Sequence, residues 1–216
     1  MLPAAKAGQL TSSIHNVLGW GDFLHQQLCR DWGCCSWGQW CQYGLERDNQ
    51  TINSAVTGGA LYEDRGTTIV WSGVDAFGKN EASASGGAVA FVSQVSLDLG
   101  AVGATFSLTG NVADISGGAV FQSGVSYGLT WKGVSFTPNS AVNGGALYSI
   151  ATGIVVESST EFPTVYINCT FRDNTTAASG GAVESAAGKD TFLYTTFHGN
   201  NAGAFGGGLR LAPTTT

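Results

Sequence analysis

Residues 171–184 read FRDNTTAASGGAVE and residues 197–210 read FHGNNAGAFGGGLR. Each stretch holds a Phe, an Asn three residues later, and a Gly-Gly six residues after that Asn. The same punctuation runs back along the chain. Gly-Gly, a small residue and an aliphatic one recur at Gly58-Gly59-Ala60-Leu61, Gly86-Gly87-Ala88-Val89, Gly117-Gly118-Ala119-Val120, Gly144-Gly145-Ala146-Leu147, Gly180-Gly181-Ala182-Val183 and Gly206-Gly207-Gly208-Leu209. First glycines are spaced by 28, 31, 27, 36 and 26 residues. Asn80, Asn111, Asn139, Asn174 and Asn200 stand five or six residues upstream of five copies. Phe77, Phe136, Phe171 and Phe197 precede four of these asparagines by three residues, and Leu108 takes that place before Asn111. In the first copy both Asn53 and Asn49 are open as the equivalent. Glycine is abundant, 32 of 216 residues, so the signal is the order and the offset, not any single GGA.

A repeat this short cannot bury a core alone and must stack on its neighbours. Its interior is rich in Gly, Ser, Thr, Val and Phe and poor in helix formers, which favours strands and turns. Segments 67–74, 125–134 and 165–171 read as strands bounded by turn residues. The aliphatic after each Gly-Gly reads as inward and the next residue, Tyr62, Ala90, Phe121, Tyr148, Glu184 or Arg210, as outward. The expectation is an all-β, right-handed parallel β-helix of about six coils, each of two or three short strands; parallel crossovers set the hand. Phe77, Leu108, Phe136, Phe171 and Phe197 are then an internal stack, and Asn80, Asn111, Asn139, Asn174 and Asn200 an amide ladder at a turn, where Asn tolerates left-handed backbone. Gly-Gly marks the next corner, by positive φ or close backbone approach. Phe, Asn and Gly are architecture in this reading, with no catalytic role and no phosphate loop.

The pairing of GGA[ILV] with FxxN over residues 49–211 resembles the repeat of the chlamydial polymorphic membrane proteins and of related surface-protein repeats. The resemblance implies a β-helical, surface-exposed, adhesin-like module. It departs from that family in two ways: no C-terminal segment reads as a membrane barrel, and no signal peptide is recognisable.

Charged residues are 11% and the net charge is −6. An acidic chain without a basic cluster argues against nucleic-acid binding, and no apolar run is long enough to span a membrane. Low charge with much Ser, Thr, Gly and Asn suits an extracellular or cell-surface solenoid. Asn49, Asn168 and Asn174 begin N-x-[ST] sequons and would carry glycans in a eukaryotic secreted glycoprotein. Asn174 is also a ladder residue, which makes Asn49 or Asn168 the better acceptor.

Residues 1–42 differ from the repeat domain, residues 43–216. They hold four of the five cysteines and four of the six tryptophans. Apolar residues from Leu10 to Trp32 recur at helical spacing, and a partly helical cap over the open sheet edge is the plain reading. Zinc binding by His25, Cys29, Cys34, Cys35 and Cys41 fits no standard spacing, so no metal and no cofactor are expected. Two disulfides among the four cysteines suit a secreted protein. Cys169 reads as a free buried thiol.

Aligned coils bring Arg172, Asp173 and His198 near one another, the one polar cluster the register predicts and a weak ligand-binding candidate. The acids are otherwise scattered, without the carboxylate pair that glycoside hydrolysis needs, and no catalytic residue is assigned. Ser107, Ser135, Thr170 and Thr196 form one hydroxyl column, without the second that a regular Thr-x-Thr face would supply. The leading expectation is a non-enzymatic module that binds a glycan or protein partner. A polysaccharide lyase or hydrolase, an inactive relative of one, or a ligand-free spacer are the alternatives. The open ends leave end-to-end or larger assembly available.

Overall fold

A computed structural model describes residues 41–46, 49–63, 67–72, 74–92, 95–98, 105–123, 129–150, 164–186 and 190–212. The zinc, disulfide and helical-cap readings rest on residues 1–42, of which all but Cys41 and Gln42 lie outside the described residues. The described residues form a parallel β-solenoid of 24 strands. Each repeat is one rung, and each rung contributes one strand to each of four faces.

The first face stacks Asn49–Thr51, Val74–Gly78, Thr105–Thr109, Val134–Phe136, Thr170–Arg172 and Thr196–His198. The second stacks Ser54–Thr57, Glu81–Ser85, Val112–Ala113, Ser140–Ala141, Thr175–Thr176 and Asn201–Ala202. The third, after Gly-Gly, stacks Leu61–Glu63, Val89–Phe91, Val120–Ser123, Leu147–Ile150, Val183–Ser185 and Leu209–Leu211. The fourth is split into two three-stranded blocks: Cys41–Glu46, Thr67–Ser72 and Val95–Asp98, then Thr130–Lys132, Val165–Ile167 and Thr191–Leu193. Three faces are six strands deep, but described residues close fewer than six full turns.

Four strands per rung corrects the expectation of two or three. Segment 165–171 is two strands, broken where Asn168 takes φ +52°, and Tyr194 and Gly133 bend the chain at the same place in their rungs. The left-handed residue at the next corner is also not the ladder Asn. It is the residue before it: Ile52, Lys79, Gly110, Asp173 or Gly199. The Asn keeps ordinary backbone because its side chain is committed to the stack.

That commitment is extensive. The backbone N–H and Nδ2 of Asn80 both donate to Oδ1 of Asn111, at 3.0 Å each. Asn111 repeats this onto Asn139, Asn139 onto Asn174, and Asn174 onto Asn200, at 2.9–3.0 Å. The second Nδ2 hydrogen turns back one rung, from Asn111 to Phe77 O and from Asn139 to Leu108 O. Asn53 opens the ladder by donating to Asn80 Oδ1, which resolves the first copy: Gln50 stands in its Phe position, paired with Phe77.

Beneath the ladder, Phe136 and Phe171 stack with centroids 4.5 Å apart, and Phe171 and Phe197 at 5.1 Å. The fourth face adds Trp131, Tyr166 and Phe192, each set edge-on to the Phe of its own rung at 5.5–6.0 Å. Such pairs contribute about 0.5–1.5 kcal/mol beyond area burial. At the Gly-Gly corner both glycines are required. Gly117 has φ +66°, and a Cβ on Gly118 would overlap Gly145 O of the next rung.

Asn111→Ala strands the buried N–H and one Nδ2 hydrogen of Asn80, which both donate to its Oδ1. Each unpaired buried group costs about 1–3 kcal/mol, so we expect a loss of about 3 kcal/mol or more in urea denaturation. Val112→Thr, on the exposed side of the next strand, should stay within about 0.5 kcal/mol of the parent. Similar losses for the two variants would contradict the ladder's role.

Candidate functional site

Alternation on the first face sends Phe77, Leu108, Phe136 and Phe171 into the core and the flanking residues outward. One outward column runs Asn49, Ala76, Ser107, Ser135, Thr170, Thr196 in direct register. Two residues on, a second outward column runs alongside it. It holds Thr51, Gly78 and Thr109 and ends with Arg172 beside His198, with Thr137 following Phe136 in the same way. Gly78, Arg172 and His198 interrupt its hydroxyls, so the face is not a uniform Thr-x-Thr array.

The two columns meet over the last two rungs in an open depression of about 360 Å³, lined by Thr170, Arg172, Thr196 and His198. Arg172 and His198 are exposed register partners. Asp173 sits at the left-handed corner residue, and its Oδ2 lies 3.1 Å from Arg172 Nε, both side chains more than half exposed. Arg172, Asp173 and His198 therefore lie together on one edge. An ion pair this exposed contributes little to stability, which leaves the guanidinium available to an incoming acceptor.

The third face carries a different strip. Phe121 and Tyr148 stack outward with centroids 6.0 Å apart, and the strip continues through Glu184 to Arg210. Ala90 and Glu184, expected to face outward, are both buried. Glu184 is held by an ion pair to Arg210 on the next rung.

Inside the third and fourth faces the core turns polar. Gln122 Nε2 donates to the buried Tyr166 hydroxyl at 3.2 Å, and Ser149 and Ser185 are buried beyond it. Asp190 Oδ2 is buried without a hydrogen-bond partner. Burial raises the Asp190 carboxyl, and raises Glu184 against the pull of Arg210. Burial pushes the free Cys169 thiol up to about 11. Sequence reasoning had no signal for this polar pocket, because the position shared by Gln122, Ser149 and Ser185 changes residue type from rung to rung and is Phe91 on the rung before.

The sequons separate cleanly. Asn49 and Asn168 are exposed. Asn174 is fully buried and gives both Nδ2 hydrogens to the ladder, one to Phe136 O and one to Asn200 Oδ1, so the folded chain cannot accept a glycan there. Among the described residues no group of three or more His, Cys, Asp and Glu side chains is placed to hold a metal, and no helix is long and apolar enough to cross a membrane. No family model, curated protein or solved structure matches the chain.

Raised native carboxyls mean that the folded state holds its protons to higher pH than the unfolded one. Stability from Asp190 and Glu184 is therefore greatest below the ordinary carboxylate range and falls as pH rises through the raised native values. Asp190→Asn should be more stable than the parent at neutral pH, with the difference vanishing in acid; an equal offset at both would refute this. Iodoacetamide at mildly alkaline pH should leave Cys169 unlabelled until denaturant is added, read by peptide mass, since the thiolate is the reactive form.

Proposed function

We propose that this chain is a non-enzymatic, extracellular or cell-surface module that binds glycan in an adhesin-like manner through the outer side of its first face. The observation that carries this reading is the pair of outward columns, which carry hydroxyls on every rung but the second and end at Arg172 and His198 over an open depression. Rungs of a parallel sheet repeat at about 4.8 Å. A ligand with regularly spaced hydroxyl or acidic groups finds matching donors and acceptors along such a face. The non-enzymatic reading is supported by the make-up of the depression: two hydroxyls, a guanidinium and an imidazole, with the adjoining carboxylate, Asp173, already paired to Arg172. Exposed Asn49 and Asn168 sequons are compatible with a secreted glycoprotein.

The test is a panel of neutral and acidic polysaccharides, scored both for retention of the protein and for release of reducing or unsaturated ends. Retention without product is expected. Arg172→Ala should weaken it by about tenfold or more, the effect of losing a charge-assisted hydrogen bond of about 1.5–3 kcal/mol, and Thr196→Val by less. Product release would replace the reading with an enzymatic one. Retention insensitive to both substitutions would move the site off this face, and binding confined to protein partners would remove the glycan.

A further inference from the structure

Every rung joins the next through one repeated set of donors and acceptors. From first rung to second, Asn53 donates its N–H and Nδ2 to Asn80 Oδ1 at 3.0 and 2.9 Å. Gly58 N donates to Ser85 O at 3.0 Å, Gly59 N to Gly86 O at 3.1 Å, and Ala60 N and Leu61 N to Ala88 O at 2.8 and 3.0 Å. From fifth to sixth the set recurs: Asn174 to Asn200, Gly180 N to Phe205 O, Gly181 N to Gly206 O, and Ala182 N and Val183 N to Gly208 O. The donors point toward the later rung at each step.

The sixth rung therefore presents the same donors with no acceptor among the described residues: the N–H and one Nδ2 hydrogen of Asn200, and the N–H groups of Gly206, Gly207, Gly208 and Leu209. The first rung presents the matching acceptors, Asn53 Oδ1 and the carbonyls of Thr57, Gly58 and Ala60, with no donor among the described residues. The two rows agree in kind, order and spacing, because both are copies of one repeat.

Gly207 supplies an independent observation. At Gly59, Gly87, Gly118, Gly145 and Gly181 an added Cβ would overlap the carbonyl of the second glycine on the rung above. At Gly207 it would meet only Asn200 O, at 3.3 Å, a contact that a shift of a few tenths of an ångström relieves. Gly207 also lacks the positive φ of Gly206. The chain's own fold thus leaves room for a side chain at 207, whereas a further rung would not. The same end exposes Phe205 by 68% and leaves Phe192 and Phe197 half-buried, where their counterparts Tyr166 and Phe171 are fully covered.

We infer that the sixth-rung end docks on the first-rung end of a second copy of this chain, continuing all four ladders head to tail. In this arrangement Asn200 donates to the partner copy's Asn53, and the Gly206–Leu209 amides to its Thr57, Gly58 and Ala60 carbonyls. The contact is heterologous and does not close on itself, so it generates open filaments. It is strand addition at an exposed sheet edge. The inference does not depend on the glycan reading.

Sedimentation velocity of the full chain across its soluble concentration range tests it, with negative-stain microscopy of the concentrated sample. Concentration-dependent species growing in steps of one chain are expected. Gly207→Ala should keep the parent's circular dichroism and melting temperature yet remain monomeric by itself. It still offers a free first-rung end, so added to the parent it should terminate growth and shift the distribution to shorter species. A chain that stays monomeric throughout overturns the inference. So does a Gly207→Ala chain that associates like the parent, or association only into closed dimers.

Discussion

Coil-to-coil register in this protein depends on one interaction, the asparagine amide bonded in both directions. A solenoid has only neighbour contacts, so nothing distant corrects a slip between rungs. A one-residue slip would exchange the inner and outer side chains of a strand. The ladder makes the register discrete. Asn111 accepts two bonds from Asn80 on one side, gives two to Asn139 on the other, and ties back to Phe77 O with its remaining hydrogen. Asp has no donor for the two Nδ2 bonds, and Gln is one methylene too long to hold both directions from the same corner. Once Asn is fixed, the Phe three residues before it and the Gly-Gly after it are carried to their own columns.

This explains which parts of the architecture are readable in the sequence. Columns with a single chemical solution repeat one residue type: Asn for the ladder, Gly where a carbonyl or a positive φ excludes a Cβ. The fourth face has several solutions. Its inward aromatics, Trp131, Tyr166 and Phe192, sit five residues before Phe136, Phe171 and Phe197, a constant offset hidden by the change of residue type. Its corner is made by Gly133, Asn168 and Tyr194, and the corner before the ladder by residues as unlike as Ile52 and Asp173. Left-handed backbone at a β-branched residue such as Ile52 is unfavourable by itself. It persists because the amide next to it holds the turn, so local preference was a poor guide there.

The candidate site shows the same division. The adjacency of Arg172 and His198 follows from aligning Phe171 with Phe197, so it was legible once the repeat was recognised. The same alignment carries Gly78, Thr109 and Thr137 into the second outward column, where Gly78 and the charged residues interrupt its threonines. The interior pocket of Gln122, Tyr166, Ser185 and Asp190 was hidden. Gln122, Ser149 and Ser185 share one position of the repeat, but the residue type there changes from the apolar Phe91 to Gln122 and then to serine, while Tyr166 and Asp190 belong to another part of the rung. A buried carboxyl without a full set of partners weakens the fold, so this pocket is the place where the stack departs from its own economy of design.

Periodic stacking also bears on how such a surface binds. A single rung offers at most two small hydroxyls, and an exposed hydrogen bond to a sugar competes with water, so one rung holds a ligand weakly. Repetition changes the arithmetic: once one unit of a polymer is seated, the next is presented at high effective concentration, and avidity grows without any new kind of contact. The outward columns repeat this way within one chain. Head-to-tail stacking would extend them past the sixth rung with the same spacing, since the ladder that sets register inside the chain would set it between chains. A length of surface, more than any one residue, would then determine how tightly a long polymer is held.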